Sequence, residues 1–329
     1  MYWFRILNTA LFTKRFFGKQ NAYNGGFIDE FIQQQNTDFP GGLNDSVLKK
    51  IKQYYCLGVP ITCEVYSLIH GRSMTVKERG LATQMGIITP VIDDFTDDKT
   101  LSETALDQLT QFPEAYSYNS PETEIVAKTL AGLKKELAYP EDFFKELRET
   151  IDAQHWSIKQ MHLSTSTDEL LKISLHKGGK SHVLFHYLLD EKPSKALDEC
   201  LYSMGGVLQI CNDIFDVYKD YQAGIRTYAN TCTDYMAFEK WYIDACRDFC
   251  RKARALNYSR KNTERYILFF SAILGRGVVA LKQLQAVQAG YPGQALPINK
   301  IERKALICDM EKPANLLKTL RYTEDIYRY

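Results

Sequence analysis

Helical periodicity runs through nearly the whole chain and leaves little room for a sheet. Apolar residues return every three or four positions in SVLKKIKQYYCLG, AKTLAGLKKEL, EDFFKELRETIDAQHWSIKQM, ALDECLYSMGGVLQICNDIFDVYKD and ERYILFFSAILGRGVVALKQLQAV. That spacing places them on one face of a helix. No set of alternating strand-like segments accompanies them. Breaks are expected at FPGGLND, QFPEAYSYNSPE, AYPED, LDEKPSK and AGYPGQALP, where proline, glycine and turn formers gather. Pro140 followed by Glu141 and Asp142 reads as a helix start, with acids at the positive end of the helix dipole. No Gly/Ser linker, charge block or internal repeat divides the sequence. The expectation is one all-α domain spanning residues 1–329.

Bulk properties exclude several classes. The 329 residues are 45% hydrophobic and 25% charged, the balance of a soluble globular protein. A net charge of +1 gives no global attraction to nucleic acid. No unbroken apolar run reaches the roughly 18 residues that span a bilayer, so no transmembrane segment is expected. Eight cysteines, at 56, 63, 200, 211, 232, 246, 250 and 308, form no CxxC pair. Cys246 and Cys250 share a helical face but lack the second pair a zinc site needs. Reduced thiols in a cytoplasmic protein are expected. The opening MYWFRILNTALFTKRFFGKQ is aromatic and basic, with no acid before Asp29. Its apolar stretch is broken by Asn8 and Thr9 and no small-residue cleavage site follows, unlike a signal peptide. Three roles stay open for residues 1–25: a packed first helix, a lid over a pocket, or peripheral contact with a membrane surface.

Two acidic clusters carry the chemistry. In CNDIFDVYKD, Asn212, Asp216 and Asp220 are four residues apart and stack on one helical face, with Asp213 beside them. In TPVIDDFTDDKT, Asp93 and Asp97 are four apart, as are Asp94 and Asp98, embedded among Val91, Ile92 and Phe95. Carboxylates at this spacing repel, and at a helix C-terminus they also oppose the dipole. A bound divalent cation reverses both penalties. Oxygen-only ligands suit Mg²⁺, or Mn²⁺ in its place, and Mg²⁺ usually completes its shell with water and substrate phosphates. An EF-hand is excluded: the sixth-position glycine and the spaced final glutamate are missing.

These residues resemble the metal motifs of class I terpenoid synthases. DDFTD, with Asp93, Asp94 and Asp97, looks like the aspartate-rich DDxxD motif. NDIFDVYKD is similar to the second motif of terpene cyclases, with Asn212, Asp213, Lys219 and Asp220 in register. It departs at Asp216, where cyclases place Ser or Thr, and at Asp220, usually Glu. Those two residues instead reproduce the DxxxD motif of squalene and phytoene synthases. GGVLQICND, GIRTY and the segment FFKELRETIDAQHWSIKQMHLSTSTDELLKISLHKGGKS are reminiscent of that branch and of chain-elongating prenyl diphosphate synthases. The likeness spans roughly residues 75–230, specific at the two motifs and loose between them.

The resemblance implies a helical bundle around an apolar cavity with three Mg²⁺ ions at its mouth. Asp93, Asp94 and Asp97 on one side and Asn212, Asp216 and Asp220 on the other would ligate the metals. The substrate would be a prenyl diphosphate, which calls for further cations. Candidates are Lys177 and Lys180 in HKGGKS, whose glycines are expected to break or open a helix, then Lys219, Arg226 in GIRTY, and the pair Arg321 and Tyr322 in LRYTED. The tryptophan often found upstream of that Arg-Tyr pair is missing. The N-D frame and Arg321-Tyr322 favour a cyclase. Asp216, GIRTY and HKGGKS favour a prenyltransferase. A non-catalytic partner subunit is the third reading, and the complete acidic motifs argue against it. The oligomeric state is left open, a homodimer included. Two rival motifs fail. GGKS lacks the P-loop glycine where Ser174 stands and a preceding strand, and His182 with His186 lacks the Glu of a zincin, since Val183 is there. Both histidines are expected to be core or surface residues.

Overall fold

Among the described residues the chain is helical, with no strand. The computed structural model describes residues 2–39, 42–97 and 100–328, without the side chains of residues 2–5 and 97. In chain order the helices are α1 (Tyr2–Gln35), α2 (Asp45–Lys50), α3 (Cys56–Ile69), α4 (Val76–Asp97), α5 (Glu103–Gln111), α6 (Pro121–Glu136), α7 (Pro140–Ser157), α8 (Thr167–His186), α9 (Lys195–Phe215), α10 (Val217–Gln222), α11 (Tyr228–Thr231), α12 (Tyr235–Ala255), α13 (Arg260–Gln288), α14 (Arg303–Leu306) and α15 (Pro313–Tyr327). A π-helical turn, Ile51–Tyr55, joins α2 to α3. The chain divides into two compact units, one built from residues 3–154 and 184–193, the other from 155–183 and 194–328.

In the first unit α3 packs on α4, and α4 on α6. The buried face of α1 carries Phe16, Gln20, Asn24, Ile28 and Ile32, one residue per turn. Two of these are polar for a reason. Pro60 lies inside α3 and has no N–H, so the carbonyl of Cys56, one turn back, loses its helical partner. Asn24 Nδ2 donates to that carbonyl at 2.9 Å. Gln20 donates to Asn24 and to Thr83 and accepts from Arg79. In its described part α1 is thus a packed helix, tied to α3 and α4.

The second unit is built around α13, which packs on α9, α12, α14 and α15. By length and composition α13 is long and apolar enough to cross a membrane, with mean hydropathy 1.6 over its most apolar window. Reading for unbroken apolar runs passes it over, because Ser271 and Arg276 interrupt it. Within the unit 72% of that window is buried, as in a core helix. All eight cysteines are buried free thiols.

Candidate functional site

The first acidic cluster lies in the last turns of α4, and its immediate partners come from the segment just before α3. Gly86 of α4 has the Tyr55 carbonyl against it, so close that a Cβ there would sit 2.8 Å from the oxygen. This close approach sets the π-helical turn along α4. The Tyr55 hydroxyl then donates to Asp93 Oδ2 at 3.0 Å, and the Lys50 ammonium pairs with Asp94 Oδ1 at 2.6 Å. Both aspartates are half-buried. Beside Asp94 opens a cavity of about 370 Å³, lined by Val47, Val91, Phe95, Asn119 and Glu122 among others. Asp97 is the last residue of α4; its side chain, and Asp98 entirely, lie outside the described residues.

The second cluster is built where α8 crosses α9. The expectation that the glycines of HKGGKS break a helix is not met: α8 runs unbroken through Gly178 and Gly179. Their role is close approach. A Cβ on Gly178 would sit 2.4 Å from the Gly205 carbonyl oxygen, one on Gly205 equally close to the Gly178 carbonyl, and one on Gly206 2.9 Å from the Leu175 carbonyl. Gly178, Gly205 and Gly206 let the two backbones touch, and Gly179 makes room for the Tyr202 ring. The crossing brings Ser174 of α8 onto Asp213 of α9, and the Ser174 hydroxyl donates to Asp213 Oδ2 at 2.6 Å. Gln209 Nε2 donates to Asp213 Oδ1 at 2.9 Å, and Gln160 Nε2 reaches the Ser174 hydroxyl.

The column of oxygen donors survives a break in the helix. Regular α-helical geometry stops at Asp216, whose φ and ψ are −93° and 10°. The i→i+4 bonds nevertheless continue through it, from Asp216 N to Asn212 O at 2.9 Å and from Asp220 N to Asp216 O at 2.8 Å. Asn212, Asp216 and Asp220 therefore still stack, with Asn212 exposed and the two aspartates half-buried. Lys219 pairs with Asp216 at 2.9 Å. Burial, and then the negative charges of Asp213 and Asp216, push the Asp220 carboxyl up to about 7 against the pull of Lys219 and Lys177. Burial likewise raises Asp213, which its hydrogen bonds from Ser174 and Gln209 and the charge of Lys177 counter.

The proposed basic residues take different positions. Lys177 acts electrostatically on both Asp213 and Asp220, so α8 delivers a cation to the column. Lys180 follows one turn later on α8 and is half-buried. Arg226 has a structural task. Its Nη1 donates to the carbonyls of His162, Leu163 and Thr165, and its backbone N–H to that of Gln160. The turn that delivers it is a Schellman motif: Gly224 has φ +72°, Ile225 N reaches Asp220 O and Gly224 N reaches Tyr221 O. That is the physical meaning of the GIRTY tail in this fold. Arg321, exposed, and Tyr322, half-buried, lie on α15.

Both rival histidines titrate well below an exposed imidazole. His186 is fully buried, its pKa lowered to about 3 by burial and by His70 and Arg72, and burial lowers that of His182 to about 4. Among the described residues no group of three or more His, Cys, Asp or Glu is assembled to hold a metal. The donor chemistry still suits a hard cation that brings its own ligands. Asp216, Asp220 and Asn212 can ligate through oxygen, and the Asp220 carboxyl, raised by burial and then by Asp213 and Asp216, bears an electrostatic cost that a cation would relieve. Mg²⁺ needs only one or two protein carboxylates when water and phosphate fill the rest of its shell. Lys50, Tyr55, Ser174 and Gln209 were invisible as site residues from spacing alone. A scan of family models and of curated proteins finds no match for the chain.

Proposed function

We propose that this chain is a Mg²⁺-dependent class I terpenoid synthase that ionises an allylic prenyl diphosphate, releases pyrophosphate and cyclises the resulting carbocation. The observation that carries the reading is the column Asn212–Asp216–Asp220, kept in register across a helix break while burial and then its charged neighbours raise its half-buried end, Asp220. A protein that needed this segment only for packing would gain stability by losing those charges.

Asp93, Asp94 and Asp97, with Asn212, Asp216 and Asp220, would hold the cations. Bound there, Mg²⁺ would supply electrostatic stabilisation of the departing pyrophosphate. The chain's own residues prepare that site. Ser174 and Gln209 hold Asp213 fixed under the column, and the Arg226 staple holds the turn that ends α10. Lys177 and Lys219 offer positive charge for phosphate oxygens, and apolar walls would keep water from the carbocation.

A prenyltransferase is the second reading, favoured beyond GIRTY and HKGGKS by position 216, which carries a carboxylate that pairs with Lys219 where a cyclase needs only a hydroxyl. Incubating purified protein and Mg²⁺ with C10, C15 and C20 prenyl diphosphates separates the two. Cyclic hydrocarbons or alcohols identify a cyclase, and a longer or doubled chain identifies a transferase. No turnover of any of them, with or without a candidate partner protein, rejects both.

A further inference from the structure

We propose that Lys50 is a resident counter-cation of the aspartate-rich cluster, displaced from Asp94 when a divalent cation enters together with a diphosphate, so that the cation alone loads poorly. The inference rests on the reading above and adds to it how loading is controlled.

Asp93 and Asp94 stand in the last turns of α4, where the helix dipole is negative. Each is met by one residue of a single short segment. Tyr55 donates a neutral hydroxyl to Asp93, and Lys50, at the end of α2, brings a full charge to Asp94 at 2.6 Å. The lysine thus already occupies an oxygen that the metal reading requires. The pair lies where it can open: the Lys50 side chain is 45% exposed and that of Asp94 24%. A partly exposed ion pair is weak, and lysine's four-carbon stem lets the ammonium swing away. The cavity beside Asp94 is walled by Val47 of the helix that carries Lys50 and by Asn44, the residue that caps it. A metal ion arriving alone must displace the ammonium into water. One arriving with a diphosphate brings an anion that can receive it. Lys52 supplies an internal control, because it makes an ion pair of the same 2.6 Å length with Asp29, 72% exposed and outside both acidic motifs.

The probes are MnCl₂ and inorganic pyrophosphate, with free Mn²⁺ read by electron paramagnetic resonance on the full chain. Lys50→Gln should bind Mn²⁺ alone about fivefold more tightly, the scale of losing a weak competing ion pair. It should bind pyrophosphate in the presence of Mn²⁺ about fivefold more weakly. Lys50→Arg should restore both values toward wild type, and Lys52→Gln should change neither. Lys50→Gln that leaves both affinities unchanged, or weakens Mn²⁺ binding without pyrophosphate, overturns the inference. Asp93→Asn tells the two levels apart. If it abolishes Mn²⁺–pyrophosphate binding while Lys50→Gln is silent, only the role of Lys50 fails. If wild type binds no Mn²⁺ with or without pyrophosphate, the synthase reading fails and the role of Lys50 with it.

Discussion

The two acidic clusters solve one electrostatic problem in opposite ways. At the end of α4 the charges are half-buried and met from outside, by the Lys50 ammonium and the Tyr55 hydroxyl. At the α8–α9 crossing the deepest carboxylate, Asp213, is held by neutral donors, Ser174 and Gln209. Neutral donors satisfy hydrogen bonding without cancelling charge, so Asp220, raised first by burial, also feels the charges of Asp213 and Asp216. The difference teaches that a cation on a flanking carboxylate steadies an acidic cluster at rest, whereas a column offset only in part, by Lys219 on Asp216 and by Lys177, stays ready for a cation from solution.

The strongest way to break this contrast is to remove a charge from the column. Asp220→Asn should lower turnover with prenyl diphosphate by about 100-fold or more, the scale of losing one preorganised electrostatic group. The same variant should raise the melting temperature of the metal-free chain, and the gain should depend on pH. The folded pKa of Asp220, about 7, lies above the ordinary carboxylate value, so the folded state holds its proton where the unfolded state has lost it. Its destabilising effect is absent near pH 4, grows as pH rises, and is complete above about 7. Thermal melts at pH 4.5 and 8 should show a much larger gain at pH 8. A variant that melts early and keeps normal specific activity would make the column structural.

The crossing itself can be broken next. Gly205→Ala puts a methyl 2.4 Å from the Gly178 carbonyl oxygen, so the two helices must part. A cost of about 1–3 kcal/mol is expected in urea denaturation, in the range of core overpacking. Parting also pulls Ser174 from Asp213, so activity should fall further than stability accounts for. Gly18→Ala, at a helical position where a Cβ meets nothing within 4 Å, is the control and should be neutral or mildly stabilising.

A titration of opposite sign belongs to the first unit. His186 is buried, 3.4 Å from His70 across their Nε2 atoms, and its folded pKa of about 3 lies well below that of an exposed histidine. The unfolded chain therefore takes up a proton first as pH falls from about 6.5. Stability is fully present above that value and is lost toward pH 3, at up to about 1.4 kcal/mol per pH unit for the one group. Because Asp220 pulls the other way over the same range, the readout is the difference between chains: as pH falls from 7 to 5 the denaturation midpoint of His186→Phe should rise relative to that of wild type. The smallest effect is expected at the cluster already neutralised. Asp94→Asn loses a partly exposed ion pair and relieves repulsion at once, so its metal-free stability should stay within about 1 kcal/mol of wild type. A large loss there would mean that the Lys50–Asp94 pair holds α2 and α4 together.

Much of this molecule follows from spacing within single helices. The all-α class, the breaks at proline and glycine clusters and the four-residue stacking of Asn212, Asp216 and Asp220 are local properties, because 3.6 residues per turn decides which neighbours share a face. Even the break at Asp216 leaves the column standing, since the i→i+4 bonds bridge it. Where sequence reasoning misread, the cause was a partner far along the chain. The glycines of HKGGKS look like helix breakers until Gly205 and Gly206 are seen against them. Arg226 has a task that no spacing shows, for three carbonyls near residue 163 take its Nη1. Ser174 carries no signal at all, for it lies 39 residues from the Asp213 it holds. The sequence by itself determined which oxygens line up along a helix. Only the tertiary structure decided which charges are cancelled, because cancellation depends on how closely two backbones approach, and that is settled by both helices together.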